Sequence, residues 1–390
     1  MMGRLGIEYV FKQLGIRKLC GEAFAYNTSS IRFHKKLGFT EEGRFLKHIL
    51  KNGVYEDIVS FALFKDDWVS TKKQPHKDRY AEQHKLIPRE LKQRYAAGTN
   101  ITEMLRSSGQ TSGDLCNTEY AIEVAYDLQT GTYTARMSVD SLREYIISYS
   151  QEIVAILESL GQFESILEAG VGEATILSEV ITRVAKPFVK YYGFDLSWSR
   201  VAYARKWLRH NGHNNVRLCT GSLSDIPFMD SSIDIVLTSH AIEPNAGRER
   251  EILKELYRIT NKYLILLEPS YDLAGSEGKM RMAKLGYCRD LKQYAEELGY
   301  NVIRHDPFLS YDELNPTALT IIKKCSNLPS QSEIYACPKY KTPLKFLGGS
   351  MYSDEALTVY PIIDGIPCLR VESGIIASKF PIIVSETVTA

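Results

Sequence analysis

The sequence predicts an α/β fold, a doubly wound parallel sheet with smaller units on either side, and three stretches in its middle predict it. In Ser165-Ile-Leu-Glu168-Ala-Gly170-Val-Gly172-Glu-Ala-Thr175-Ile-Leu, an apolar run ends in an acid, two glycines follow one apart, and helical spacing resumes. A buried strand that breaks into a tight turn and opens a helix reads this way, and the glycines let a ligand lie against bare main chain. Tyr191-Tyr-Gly-Phe-Asp195 repeats the pattern, and Leu196-Ser-Trp-Ser-Arg200 opens the next helix. Two further runs follow: Val216 to Thr220 with Gly221-Ser-Leu-Ser-Asp225-Ile-Pro-Phe228 behind it, and Ser232-Ile-Asp234-Ile-Val-Leu-Thr-Ser-His240. Strands alternating with helical patterns at such intervals mean βαβ units.

At 390 residues the chain exceeds one ordinary core, so two or three domains are expected. A formal charge of +1 and an isoelectric point near 7.6 give no global field for nucleic acid or an anionic membrane. No apolar run has the length of a membrane span, and the amino terminus lacks a signal-peptide core. The seven cysteines, scattered from Cys20 to Cys368 without paired spacing, read as reduced thiols of a cytoplasmic protein.

Residues 1–68 form the first unit. Ile7 to Leu14 has helical spacing, Arg17 to Phe24 alternates as a strand, and Asn27 caps a short helix that ends at Gly38. Phe39 to Ile49 and Val54 to Phe64 read as an antiparallel pair, with Asn52-Gly53 as the hairpin signal. The series from Asn27 through Ser30-Ile-x-Phe33-His-Lys-Lys-Leu-Gly38-Phe39 to Glu41-Glu-Gly43 resembles the second half of a GNAT-type N-acetyltransferase. It is most similar to enzymes that acetylate amino-sugar nucleotides or ribosomal amino termini. The resemblance implies that Asn27 lies near a pantetheine arm, and it puts His34 where the family carries a tyrosine general acid. Met2 to Gly6 would be the far end of the pyrophosphate loop, so acetyl coenzyme A is not expected to bind unless a partner chain completes the unit.

Residues 69–159 read as a linker and a helical lid region. The charged stretch from Lys65 to Ile87 is a solvated connector. Pro88 opens a helix to Ala97, Asn100-Ile-Thr-Glu103 has capping-box spacing, and Ser107 to Asn117 is a loop. Tyr126 and Tyr133 are candidates for a lid, with ordinary packing as the other reading. Ser141 to Leu160 is a long amphipathic helix capped by Ser138 or Asp140, with Leu142, Ile146, Ile153, Ile156 and Leu160 on one face.

In the middle, Glu168-x-Gly-x-Gly-x-x-Thr175, then Gly193-Phe-Asp-x-Ser197, then Gly221-x-x-x-Asp-Ile-Pro-Phe228, then Ser232-Ile-Asp-Ile-Val236 together resemble a class I S-adenosylmethionine-dependent methyltransferase. The likeness runs from about Ser165 to Lys324, and it implies a Rossmann-like sheet. An NAD-binding unit would more often carry a third glycine, where this chain has Thr175. The resemblance implies S-adenosyl-L-methionine held by Glu168, Gly170 and Gly172, with Asp195 on the ribose hydroxyls. The family's acid after the third strand is replaced by Ser222, so adenine contacts fall to Ser222 and Leu223 or to Asp225, with Ser239 close by.

Acceptor groups are expected from the next two strand ends, Thr238-Ser-His240-Ala-Ile-Glu243-Pro-Asn245 and Leu266-Leu-Glu268-Pro-Ser270-Tyr271. His240 is either a general base or a histidine packed at the strand end. Glu268 either orients the acceptor or caps a loop. Lys279, Arg281 and Arg289 meet an anionic substrate or form a solvated face.

Residues 326–390 form a small β module. Cys337-Pro-Lys-Tyr340 and Tyr360-Pro-Ile-Ile-Asp-Gly365-Ile-Pro resemble the zinc-ribbon-like proteins that activate methyltransferases. Tyr340 stands where the second cysteine belongs, and Cys337 with Cys368 gives two ligands where zinc needs about four, so no metal is expected. The expected domains are thus 1–68, 69–159, 160–325 and 326–390, the third a methyltransferase acting on a polar acceptor such as a sugar or glycan. An acetyltransferase, a non-catalytic scaffold and an NAD-dependent enzyme stay open.

Overall fold

The computed structural model describes residues 7, 9–51, 53–65, 68, 87–107, 116–308, 313–324 and 334–386. Met2 to Gly6, Asn52, most of the connector after Lys65 and most of the Ser107–Asn117 loop lie outside them. Contacts divide the chain into residues 1–85 and 86–390.

In the first unit, β1 (Lys18–Phe24), β2 (Thr40–Lys51) and β3 (Val54–Phe64) form an antiparallel sheet in the order β1-β3-β2. Asn27 caps the Thr28–Lys36 helix, its Oδ1 accepting the Ser30 N–H at 3.0 Å. His34 stacks on Phe61 with centroids 4.9 Å apart, and its Nδ1 lies 2.9 Å from the Ser30 carbonyl. A Cβ at Gly21 would come within 2.6 Å of the same ring, so that position needs glycine. His34 is therefore a packing group wedged against the sheet.

The second unit is built on seven strands: β4 (Ser165–Ala169), β5 (Lys190–Asp195), β6 (Arg217–Thr220), β7 (Ile233–Ser239), β8 (Thr260–Pro269), β9 (Asn301–Pro307) and β10 (Thr317–Lys323). Their order is β6-β5-β4-β7-β8-β10-β9, and only β10 runs against its neighbours. β4 is buried along its whole length, as a strand covered by helices on both faces must be. Chain direction across the sheet reverses at β4, which pairs with β5 on one side and β7 on the other. The crevice at its carboxyl end is where an open α/β sheet binds ligands.

Helices Pro88–Ala96, Ile101–Ser107 and Glu119–Leu128 share a small core of Leu91, Ile101, Leu105, Ala121 and Ala125. The helix expected from Ser141 spans Asp140–Ser159, and neither proposed side chain caps it. Val139 holds the cap position without a side-chain bond, and Asp140 pairs with Arg143 at 3.2 Å instead. Ile153 and Ile156 are buried as expected, whereas Leu142 is 41% exposed.

The carboxyl-terminal residues form β11 (Lys345–Leu347), β12 (Ser350–Ser353), β13 (Thr358–Tyr360), β14 (Ile362–Ile363), β15 (Ile366–Pro367) and β16 (Ile375–Ile376). Asp364 and Gly365, with φ of 48° and 71°, make the two-residue turn between β14 and β15. A bridge from Cys368 to Thr220 lays the module along the edge strand β6, and one from Tyr335 to Phe228 ties it to the loop that follows. Cys337 faces the Tyr360 hydroxyl at 3.6 Å and Cys368 the Ile366 carbonyl at 3.7 Å, so the two thiols have separate partners. Among the described residues no helix is long and apolar enough to cross a membrane.

Gly170 has φ of 73°, and a Cβ there would sit 2.4 Å from that of Ala241. Gly170→Ala should therefore cost about 2–4 kcal/mol from backbone strain and overpacking. Urea unfolding checks this: the midpoint should fall with an unchanged slope, and an unmoved midpoint would mean the Ala241 loop yields freely.

Candidate active site

The floor of the crevice is the turn after β4. Gly170 and Val171 both donate to the Phe194 carbonyl at 2.9 Å, which ties the turn to β5. Asp195 reinforces it: Oδ2 accepts the Gly172 N–H at 2.9 Å and Oδ1 accepts the Ser197 N–H at 3.0 Å. The acid expected to meet a ribose thus also holds the two strand-end turns together. Glu168, beside them, is buried, and its Oε2 has no hydrogen-bond partner. Burial pushes its carboxyl up to about 8, against a backbone N–H from Leu177 and helped by the nearby Asp195 charge. At pH 7 it is mostly protonated.

One wall is the loop after β7. His240 adopts φ of 53°, unusual for a residue with a Cβ. The strain is held by Glu268, whose Oε1 accepts the Ala241 and Ile242 N–H groups at 2.9 and 3.1 Å and whose Oε2 accepts that of Glu243 at 3.1 Å. Burial raises the Glu268 carboxyl to about 7, opposed by the His240 charge. His240 Nδ1 lies 2.6 Å from Glu243 Oε2 and Nε2 lies 3.2 Å from Thr317 Oγ1. Burial pulls the imidazole pKa down, but the hydrogen bond and charge of Glu243, with Glu268 behind, outweigh it and leave it above its ordinary value.

The roof is the helical preface. Glu173, directly after the second glycine, accepts the N–H groups of Gly131 at 2.9 Å and Thr134 at 2.7 Å, and the Thr134 hydroxyl at 2.8 Å. A buried carboxylate in the turn therefore caps the Thr132–Arg136 helix above it. Asp127 takes the Ser197 hydroxyl at 2.6 Å and Glu119 takes that of Ser222 at 2.9 Å. Arg248 at 3.3 Å and Arg370 at 3.6 Å complete Glu119, and Arg370 also reaches Glu123. Tyr149, on the long helix, shares a 2.9 Å hydrogen bond with Ser239.

Two adjoining chambers lie between floor and roof. The larger, about 340 Å3, is lined by Glu168, Gly172, Ser239, His240, Glu243 and Tyr149, among others. The smaller, about 80 Å3, is lined by Asp195, Ser222, Leu223 and Asn245. Gly170, His240, Tyr126 and Arg200 border both, and Tyr133 borders the larger. Both lid candidates are thus at the cavity.

Three groups expected here sit elsewhere. Asp225 turns away to Lys341 at 3.3 Å, because the docked tail offers it a cation. Glu268 lines neither chamber, being spent on loop amides, and with Ser270 and Tyr271 it borders a separate small cleft. Lys279 and Arg289 lie over the Tyr271 ring and Arg281 over Tyr287. Sequence reasoning missed Glu173, Glu119, Arg200 and Arg370. An acid immediately after a glycine turn was the one available signal, for Glu173.

Comparison with known proteins gives two family matches. Residues 166–262 match the family described as Methyltransferase domain, and residues 2–59 the one described as Acetyltransferase (GNAT) domain. The SPbeta prophage-derived uncharacterized N-acetyltransferase YokL of Bacillus subtilis (strain 168) is 32% identical over 62 residues, 16% of this chain and 35% of its own. The chain thus spans about a third of that relative's length. Among solved structures, the magnesium protoporphyrin IX methyltransferase of Synechocystis PCC 6803, with bound SAH, gives a TM-score of 0.40 at 14% identity, over 52% of this chain and 98% of its own. A SAM dependent methyltransferase from Aquifex aeolicus gives 0.33 at 19% identity, over 43% and 87%.

Glu173→Ala should remove the cap of the Thr132–Arg136 helix at a cost of about 1.5–3 kcal/mol. Hydrogen exchange reads this locally: amides from Gly131 to Arg136 should lose protection while those of β4 keep theirs. Unchanged protection would show that packing alone holds the roof.

Proposed function

We propose that the S-adenosylmethionine-dependent methyltransferase domain of this enzyme methylates a polar acceptor, a hydroxyl or amine, with His240 receiving the acceptor's proton. The observation that carries the reading is the imidazole at the border of both chambers, oriented by a buried carboxylate. With Nδ1–H given to Glu243, Nε2 carries the lone pair and can accept the Thr317 hydroxyl at 3.2 Å, a neutral partner that an acceptor hydroxyl can replace. That tautomer is inferred from the hydrogen-bond network.

The residues present fit the cofactor. Gly170 and Gly172 both line the larger chamber, the orphaned Glu168 oxygen lacks a hydrogen-bond donor, and Asp195 retains lone pairs for hydroxyls beyond its two amide bonds. Ser222 and Leu223 border the smaller chamber, where an adenine would be read. When bound, the cofactor supplies a methyl group on a positively charged sulfur. The chain's own part is to orient the acceptor, exclude water beneath the roof and take the proton at His240.

Hydroxyl groups of Tyr149 and Ser239 and the carboxylate of Glu243 favour a sugar or glycan acceptor over a greasy one. The Asn27–Gly43 motif resembles enzymes that acetylate amino-sugar nucleotides or ribosomal amino termini, and the first of these supports the same choice by analogy. The free cysteines suit a cytoplasmic setting. Acetyl transfer by the head is the second reading, favoured by its family match and its relative. Against it, His34 is wedged on Phe61 rather than free to serve as an acid.

His240→Ala should leave cofactor affinity intact and slow methyl transfer about 10²-fold. In the native enzyme the rate should climb with pH through a value above the ordinary histidine range, because the base works only when neutral. Labelled cofactor offered to sugar nucleotides, small metabolites and protein extracts tests both halves. Label confined to lipophilic acceptors sinks the polar acceptor, and full activity in the variant clears His240.

Glu168 adds a prediction about binding. Its carboxyl sits near 8, and a cationic ligand beside it must pull that value down. Binding near pH 7 should then release a proton, and affinity should rise toward pH 8 by up to about tenfold per unit before levelling off. Calorimetry in two buffers of different ionisation heat detects the proton. Glu168→Gln should abolish both the release and the slope, and a variant that keeps them would acquit Glu168.

A further inference from the structure

We infer that Arg200 is a receptor for an oxyanion, a carboxylate or phosphate, carried by a ligand of the cavity. Arg200 stands in the first turn of the Trp198–His210 helix and is only 6% exposed. Its guanidinium lies 4.6 Å from the Tyr133 ring centre and 5.2 Å from that of Tyr126. On its inner side it meets the glycine turn, where a Cβ at Gly172 would be 2.9 Å from one terminal nitrogen. Nε is buried and has no hydrogen-bond partner, and no side-chain hydrogen bond or ion pair is made to Arg200 among the described residues.

The nearest acids do not neutralise it by contact. Asp195 is engaged by the Gly172 and Ser197 amides, and Glu173 by the amides of the roof. Aromatic faces lower the cost of a buried cation but give its five N–H donors nothing to bond. A planar donor fork without acceptors, bordering two connected chambers, matches the geometry of a carboxylate or phosphate. Arg136 lies over the same Tyr133 ring at 4.9 Å, exposed and lining the larger chamber, so an approaching anion meets positive charge first there.

Two ligands could bring the anion: the cofactor, through its amino-acid carboxylate, or an acceptor bearing an acidic group. The anion site stands on the geometry alone, whereas the identity of its ligand rests on the methyltransferase reading. The test uses the full chain as wild type, Arg200→Met and Arg200→Lys. Thermal midpoints are measured with inorganic phosphate and acetate against chloride at equal ionic strength. Calorimetry compares S-adenosylhomocysteine with 5′-methylthioadenosine, which shares the nucleoside and thioether but has no carboxylate.

The oxyanions should raise the midpoint of the wild type and not that of Arg200→Met. Arg200→Lys, which keeps the charge but loses the fork, should recover part of the rise, which a purely packing role would not produce. If the cofactor supplies the anion, Arg200→Met should lose at least tenfold in S-adenosylhomocysteine affinity and nothing for methylthioadenosine. If the acceptor supplies it, both nucleosides should bind as before, and phosphate should still shift only the wild type after saturation with S-adenosylhomocysteine. An Arg200→Met protein that answers oxyanions like the wild type, or loses both nucleosides equally, overturns the inference. Should that variant not fold, Arg200→Lys decides: wild-type affinity and anion response together overturn it too. A wild type that binds neither nucleoside yet answers phosphate through Arg200 would instead sink the methyltransferase reading and keep the anion site.

Discussion

A carboxylate taken out of water must find donors, and the carboxyl ends of this sheet are arranged by how their buried acids find them. Asp195 takes one amide from each of two turns, Glu173 takes amides from the roof, and Glu268 takes three in a row from the loop that carries His240. Each acid stands at or just past the end of a strand and fixes a different loop, so strand register passes directly into site geometry. Break one of these sets and a loop is released, not merely a charge exposed. Glu168 is the exception, with one oxygen left over, and it lines the larger chamber beside Glu173 and Glu243.

The tail belongs to the same construction. By pairing Cys368 with Thr220 at the sheet edge, the chain brings Arg370 beneath the Glu119–Leu128 helix, within reach of both Glu119 and Glu123. Arg248 approaches Glu119 from another loop. These are partly buried pairs, screened less than surface ones, and they sit on the helix that roofs the smaller chamber. A small β unit thus steadies the roof through ion pairs, while Arg370 and its strands line neither chamber.

The doubly wound sheet was legible because a parallel strand buried on both faces must be apolar, and because a chain leaving it sharply must use glycine. Ile166-Leu-Glu168-Ala-Gly170 carries both signals in five residues. The glycine turn, Asp195, Ser222, Ser239 and His240 could be placed for the same reason, since strand ends fix where their next residues point. Asp225 and Glu268 could not, because their partners, Lys341 and the 241–243 amides, depend on how distant segments pack. Arg200 looked like any arginine of a surface helix. Only the folding of Tyr126 and Tyr133 over it turns that side chain into a buried cation.

The cavity is lined by two groups whose needs are opposite in sign. Glu168 avoids charge by staying protonated, an option open to a carboxyl but not to a guanidinium, which keeps its charge whatever its surroundings. Arg200 can only be shielded, and two tyrosine rings do part of that. The neighbouring acids Asp195, Glu173 and Glu268 each accept two or more hydrogen bonds, which sets Glu168 apart from them. A zwitterionic or mixed-charge ligand relieves both groups at once, whereas a neutral one relieves neither.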